Sequence, residues 1–156
     1  MSQLNILERM YWGRFIRSLR PDDRPLDPIV KAAHAGTPKI TDELLSLYFT
    51  GRKTAGSGIV EDYQSAGDAL PKVGNFWIYL DGQGEPRCIL RTDRVEINKF
   101  KDVPLSVAIA EGEGDLSLEH WRRVHSELYV PLLEGWGVKQ IEDATVITEF
   151  FSMAYR

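Results

Sequence analysis

The 156-residue chain is 43% hydrophobic and 27% charged, with a net charge of −4. Such a balance suits a soluble, cytoplasmic protein of one domain and argues against one that coats nucleic acid by bulk electrostatics. No apolar run approaches the ~20 residues of a membrane span, the N-terminus lacks a secretory-signal pattern, and the single Cys88 rules out an internal disulfide framework.

Residues 3–20 read as a helix, with Ser2 as its N-cap and Leu4, Leu7, Tyr11, Phe15 and Leu19 on one stripe. Arg9, Arg14, Arg17 and Arg20 lie on its other faces, as a solvated surface or a nucleic-acid contact. After the break at Pro21–Pro25, Asp27-Pro28 opens a short helix that Gly36 closes. Thr41 caps the next helix, whose Leu44, Leu45, Leu47 and Tyr48 lead into a glycine-rich loop. Asn75–Leu80 is a strand, Asp81–Glu85 a hairpin turn and Arg87–Ile97 the returning strand. Val107–Ala110 carries no firm pattern. Ser117 starts a helix to about Leu133, with Trp121, His125, Leu128 and Leu132 on its buried stripe, and Ala144–Phe151 is a closing strand apolar on both faces. Helices first, then strands with one inserted helix, favour an α+β fold.

The stretch Tyr48–Gly58 combines the adjacent cations Arg52 and Lys53 with Thr54, Ser57 and glycines at 51, 56 and 58. Glycines let backbone N–H groups approach a ligand and the cations add charge, which suits a phosphate, a carboxylate or a polarised carbonyl. A helix ending in a solvated loop is the plainer alternative. It is not a P-loop, because Arg52 separates Gly51 from Lys53.

His34, His120 and His125 are scattered, and the last two project about 140° apart on a helix, so a zinc site is not expected. The run Glu111-Gly-Glu-Gly-Asp115 offers oxygen ligands for a hard cation, or is an acidic turn. Lys53 and Thr54, with Glu111 brought in from afar, would supply a base, a hydroxyl and a carboxylate, the lysine polarising the hydroxyl or stabilising developing negative charge. Arg122, Ser126 and Tyr129 share a face of the late helix and would line a groove for a phosphate and a base, or face solvent. One face of the strand bearing Trp77 and Tyr79 is core; the other, if exposed, is a stacking platform for single-stranded bases.

In their order, Gly51-Arg-Lys-Thr-Ala55, Leu70-Pro-Lys-Val-Gly-Asn75, Ala110–Leu116 and Trp121-Arg-Arg-Val-His125 resemble the ASCH domain family over about residues 40–154. The resemblance implies a PUA-like β-barrel with flanking helices, as one domain over 1–156 with residues 1–40 a helical extension. It also implies a role on RNA. The longer helical N-terminus and the late helix resemble the ribonuclease-type members. Their pattern implies metal-assisted cleavage of single-stranded RNA, with Mg or Mn as the candidate ion and no haem, flavin or nicotinamide. Lys53 would then hold the scissile phosphate, Tyr48 and Ser126 would position it, Arg52 or Arg122 would grip its neighbours, and Glu111 would be the base or bind the metal. Other members are amidohydrolases that deacetylate acetylcytidine with a Lys, a Thr and a Glu. The Lys and Glu fall on Lys53 and Glu111, but the Thr position is Gly56, so Thr54 or Ser57 would have to attack. A non-catalytic RNA or nucleotide sensor is the third expectation.

Overall fold

The computed structural model describes residues 3–156. Helix α1 (Ile6–Ser18) begins with a reciprocal capping box, Asn5 accepting from Glu8 N and Glu8 accepting from Asn5 N. Ser2, the expected cap, lies outside the described residues. Tyr11 and Phe15 are buried as the stripe requires, whereas Leu7 is exposed.

The stretch between Asp27 and Gly36 is not a helix but strand β1 (Val30–His34). An N-cap needs extended backbone. Asp27 has a φ of 49° and makes a turn instead. The chain leaves that turn extended and pairs parallel with β3 (Phe76–Leu80), Val30 opposite Phe76 and His34 opposite Leu80. Part of residues 1–40 therefore lies in the sheet rather than in a helical extension. In α2 (Thr41–Phe49), Thr41 is the first helical residue and not the cap; its buried hydroxyl donates to Thr37 O at 2.9 Å.

Past Lys53 the glycine stretch is not a loop but β2 (Ala55–Ile59), followed by α3 (Val60–Ala66). Ala-Gly-Ser-Gly-Ile has weak strand propensity, and β5 (Thr145–Tyr155) imposes the ladder on it, Ser57 opposite Thr148 and Gly56 opposite Glu149. The hairpin to β4 (Pro86–Lys99) is held by Asp81 Oδ1, which accepts from Gln83 N and Glu85 N. The unassigned apolar stretch is α4 (Leu105–Glu111). Ser117 caps α5 (Leu118–Tyr129) by accepting from His120 N at 3.0 Å.

The strands form one sheet in the order β1-β3-β4-β5-β2. It curls into a half-barrel with helices around it, the expected α+β, PUA-like architecture. Phe76 and Ile78 pack with Phe15 beneath α1, so that face of β3 is core, while Val107, Trp121 and Val146 form a second cluster under α4 and α5. Edges β1 and β2 do not pair with each other, and between them lies a cavity of about 420 Å³. That cavity explains the misread face of α5. Trp121 is buried, but Leu128 and Leu132 are 47% and 48% exposed, because the helix ends at Tyr129 and its His125–Leu128 side borders open space.

Among the described residues no helix is long and apolar enough to cross a membrane.

Candidate functional site

The cavity is built at the C-terminal ends of α2 and α4. Gly51, at φ 75°, turns the chain out of α2 so that Lys53 points inward and is 5% exposed. Its Nζ donates to Glu113 Oε2 at 2.9 Å and to Glu111 O at 3.3 Å, and lies 3.7 Å from Glu111 Oε1. The ring of Tyr48 lies 5.5 Å from the same ammonium. The acidic turn is clamped to this loop. Arg52 donates to Gly112 O and Gly114 O, and Thr54 N donates to Ala110 O at 2.7 Å.

Gly112 makes the approach possible. At φ 68° its position for a Cβ lies 2.1 Å from Arg52 O, so a side chain there has to push the backbones apart. Gly112→Ala is expected to cost about 2–4 kcal/mol, from left-handed strain plus overpacking, measurable by urea denaturation. A change under 0.5 kcal/mol would show that the clamp is not needed.

Glu111 is almost fully buried and collects four partners. Trp121 Nε1 donates to its Oε2, Ser57 Oγ donates to the same oxygen at 3.0 Å, and Lys53 Nζ and His125 Nε2 each lie 3.7 Å from Oε1. Burial pushes its pKa up, but His125, Lys53 and Trp121 together outweigh that and hold it below the usual carboxylate range. An ionised Glu111 only accepts, so Ser57 spends its single proton there. Thr148 Oγ1, 2.8 Å from Ser57 Oγ, must then be the donor in that contact. The result is a directed chain, Thr148 to Ser57 to Glu111. His125 stacks on Trp121 and places Nδ1 2.8 Å from Trp121 O, an acceptor, so Nδ1 carries a proton, while Nε2 faces Glu111 Oε1 at 3.7 Å.

Of the expected site residues, Lys53, Glu111, Ser57, Tyr48 and Tyr129 line the cavity. Tyr129 Oη donates to Ser57 O at 3.3 Å, and burial raises both phenols' pKa, so they stay neutral. The other four do not line it. Thr54 is exposed and its hydroxyl donates to Ala110 O; Arg52 is spent on the acidic turn; Arg122 Nη2 straps α5 to Lys101 O and Val103 O; Ser126 sits off the cavity-facing side of α5. The structure thus replaces Thr54 by Ser57 as the hydroxyl beside Glu111, and leaves neither expected arginine free to grip a phosphate there. Sequence reasoning missed Glu149, buried on the cavity wall, and gave Glu113 no partner. The single charged residue of the closing strand was the available signal for Glu149.

A divalent ion does not fit here. Glu111 and Glu113 both serve Lys53, Asp115 caps the α5 entry by accepting from Ser117 N, and among the described residues no three His, Cys, Asp or Glu side chains gather to hold one.

The family model described as ASCH domain matches residues 31–155. The chain belongs to the ASCH domain family. The crystal structure of an ASCH domain from Lactobacillus crispatus JV V101 superposes with a TM-score of 0.90 at 21% identity, covering 99% of this chain and 98% of that one. Protein EF3133 from Enterococcus faecalis V583 superposes with a TM-score of 0.78 at 28% identity, over 94% of this chain and 87% of that one. No curated protein matches the chain.

Proposed function

We propose that this ASCH protein hydrolyses the amide of a small N-acylated nucleoside such as N4-acetylcytidine. The observation that carries the reading is the meeting of Ser57 Oγ, the Glu111 carboxylate and Lys53 Nζ in one cavity. Ser57 Oγ attacks the acyl carbon while its proton passes to Glu111, which is already ionised at neutral pH. Two of the three Lys53 protons are held by Glu113 and the Glu111 carbonyl, and the third is available to the oxyanion. Collapse breaks the C–N bond, and the proton on Glu111 goes to the departing amine. Water then attacks the acyl-Ser57 ester and gives one proton to the Glu111 carboxylate; collapse breaks the ester C–O bond, Glu111 returns that proton to Ser57 Oγ, and acetic acid leaves and ionises to acetate in solvent.

Cleavage of single-stranded RNA fits these charges less well. A phosphodiester entering the cavity would meet the carboxylates of Glu111 and Glu113, and the lining cation Lys53 is already paired. A neutral nucleoside meets no such repulsion, and Trp77, Tyr79 and Tyr63 offer it aromatic walls.

The test supplies purified protein with N4-acetylcytidine and, in parallel, single-stranded RNA with Mg²⁺ or Mn²⁺. Acetate release from the nucleoside is expected. Cleavage of RNA that needs Lys53, without acetate release, would restore the ribonuclease reading; salt-dependent RNA binding without turnover of either would select the sensor.

A further inference from the structure

The cavity holds a second polar centre that the hydrolytic chemistry does not use. Glu149 Oε2 accepts from Trp77 Nε1 at 2.9 Å and from Thr92 Oγ1 at 2.6 Å, which occupies both of its lone pairs. Oε1 has no partner among the described residues and is the carboxyl atom left to the cavity. Burial raises the pKa of this group, with Thr92, Trp77 and Lys31 opposing. The ionisable groups around it are Lys31 on β1, whose Nζ lies 5.7 Å from the Trp77 ring, and the phenols Tyr63 on α3 and Tyr79 on β3, both held neutral. Since Oε2 is already filled with donated hydrogens, the proton of the neutral carboxyl sits on Oε1.

Gly56 stands opposite Glu149 in the ladder, and Tyr48 Oη and the Phe151 ring occupy the space beside it, 3.3 Å and 3.5 Å from where a Cβ would be, so these two rings wall the cavity next to Glu149. Trp77, Tyr79 and Tyr63 line the same cavity as Glu149 and Ser57, so a flat ring held by these aromatic walls shares its space with both.

We infer that Glu149 is the specificity residue of the cavity, donating its Oε1 hydrogen to a ring nitrogen acceptor beside the scissile amide, as N3 of cytosine is. This rests on the hydrolase reading for its substrate class, but binding tests it apart from turnover. A ring lacking that acceptor leaves a buried carboxyl unpaired, which costs affinity and so produces selectivity for the ring that has it.

The probes are cytidine and 3-deazacytidine, which has a C–H at that position, titrated calorimetrically. The wild type is expected to prefer cytidine about tenfold and to lose the preference as pH rises through the Glu149 pKa and Oε1 becomes an acceptor. Glu149→Gln keeps an N–H donor facing the cavity at every pH, so its preference is retained and becomes flat with pH. Glu149→Leu, checked for an unchanged far-UV spectrum, binds both nucleosides equally weakly. Equal binding of the two by wild type, or a Gln variant with the wild-type pH profile, would overturn the inference. If the preference holds but N4-acetylcytidine is never hydrolysed, the hydrolase reading fails and Glu149 recognition stands.

Discussion

Lys53→Met is expected to lower stability at neutral pH by about 3–5 kcal/mol, the usual cost of removing one partner from a buried ion pair. Methionine fills much of the same volume, so the loss is electrostatic rather than a cavity. Glu111 would keep Trp121, Ser57 and His125 but lose the nearest fixed positive charge, and Glu113 would lose its bond at 2.9 Å. The pH dependence identifies the cause. In the wild type the pKa of Glu111 is depressed, so its contribution is present above the ordinary carboxylate pKa and is lost as pH falls through the folded value. Without Lys53 one of the groups that oppose the desolvation of Glu111 is gone, and its pKa rises. The deficit of the variant is therefore largest near pH 7 and shrinks towards pH 4, where the orphaned carboxylates take up protons. Urea denaturation of both proteins at pH 4 and pH 7 measures this. A deficit equal at both pH values would mean that Lys53 acts through packing. Adding Glu111→Gln should recover part of the loss, because the two changes remove one interaction.

The architecture was more legible than the site. β3, its hairpin and β4 were readable because aromatic and branched residues flank an Asp-Gly turn, all local signals. β1 was not: Pro28 and the alanines suit a helix as well as a strand, and only the parallel partner Phe76–Leu80, far along the chain, decides it. β2 was hidden for the opposite reason. Its glycines look like loop, yet they are small because Tyr48 and Tyr63 pack where side chains at 56 and 58 would stand. The approach of Lys53 to Glu111 came from the family pattern, since no spacing rule brings the ends of two helices together. That pattern also pointed to residue 56 for the hydroxyl. The bonded Phe151 N to Thr54 O contact turns the Ser57 backbone away from β5, and Tyr129 takes its carbonyl, while the Ser57 side chain reaches Glu111. Such a one-residue change of strand face is invisible without the ladder. The expected arginines failed for a related reason: Arg52 and Arg122 each donate to two backbone carbonyls nearby, one of each pair in a part-buried contact, and this commits their guanidinium groups before any ligand arrives.

Ser57→Ala is expected to abolish acetate release while leaving the fold in place. The serine is partly exposed, and its loss removes one hydrogen bond to Glu111 and one from Thr148, about 1–2 kcal/mol in stability. The kinetic effect is far larger, because no other hydroxyl in the cavity both touches the ionised carboxylate and faces the substrate. Thr148 is fully buried behind Ser57, Thr54 is bonded to Ala110 outside the cavity, and the Tyr48 and Tyr129 phenols are neutral and poor nucleophiles. Removal of a nucleophile from such a unit costs roughly 10⁴–10⁶ in kcat. Wild type quenched in acid during turnover should carry one acetyl group on the peptide containing Ser57, seen by mass spectrometry, and the alanine variant none. An alanine variant that still deacetylates would transfer the attack to a water held by Glu111 and Thr148 in the vacated space. Lys53 and Glu111 would then keep their roles and the covalent step alone would be lost.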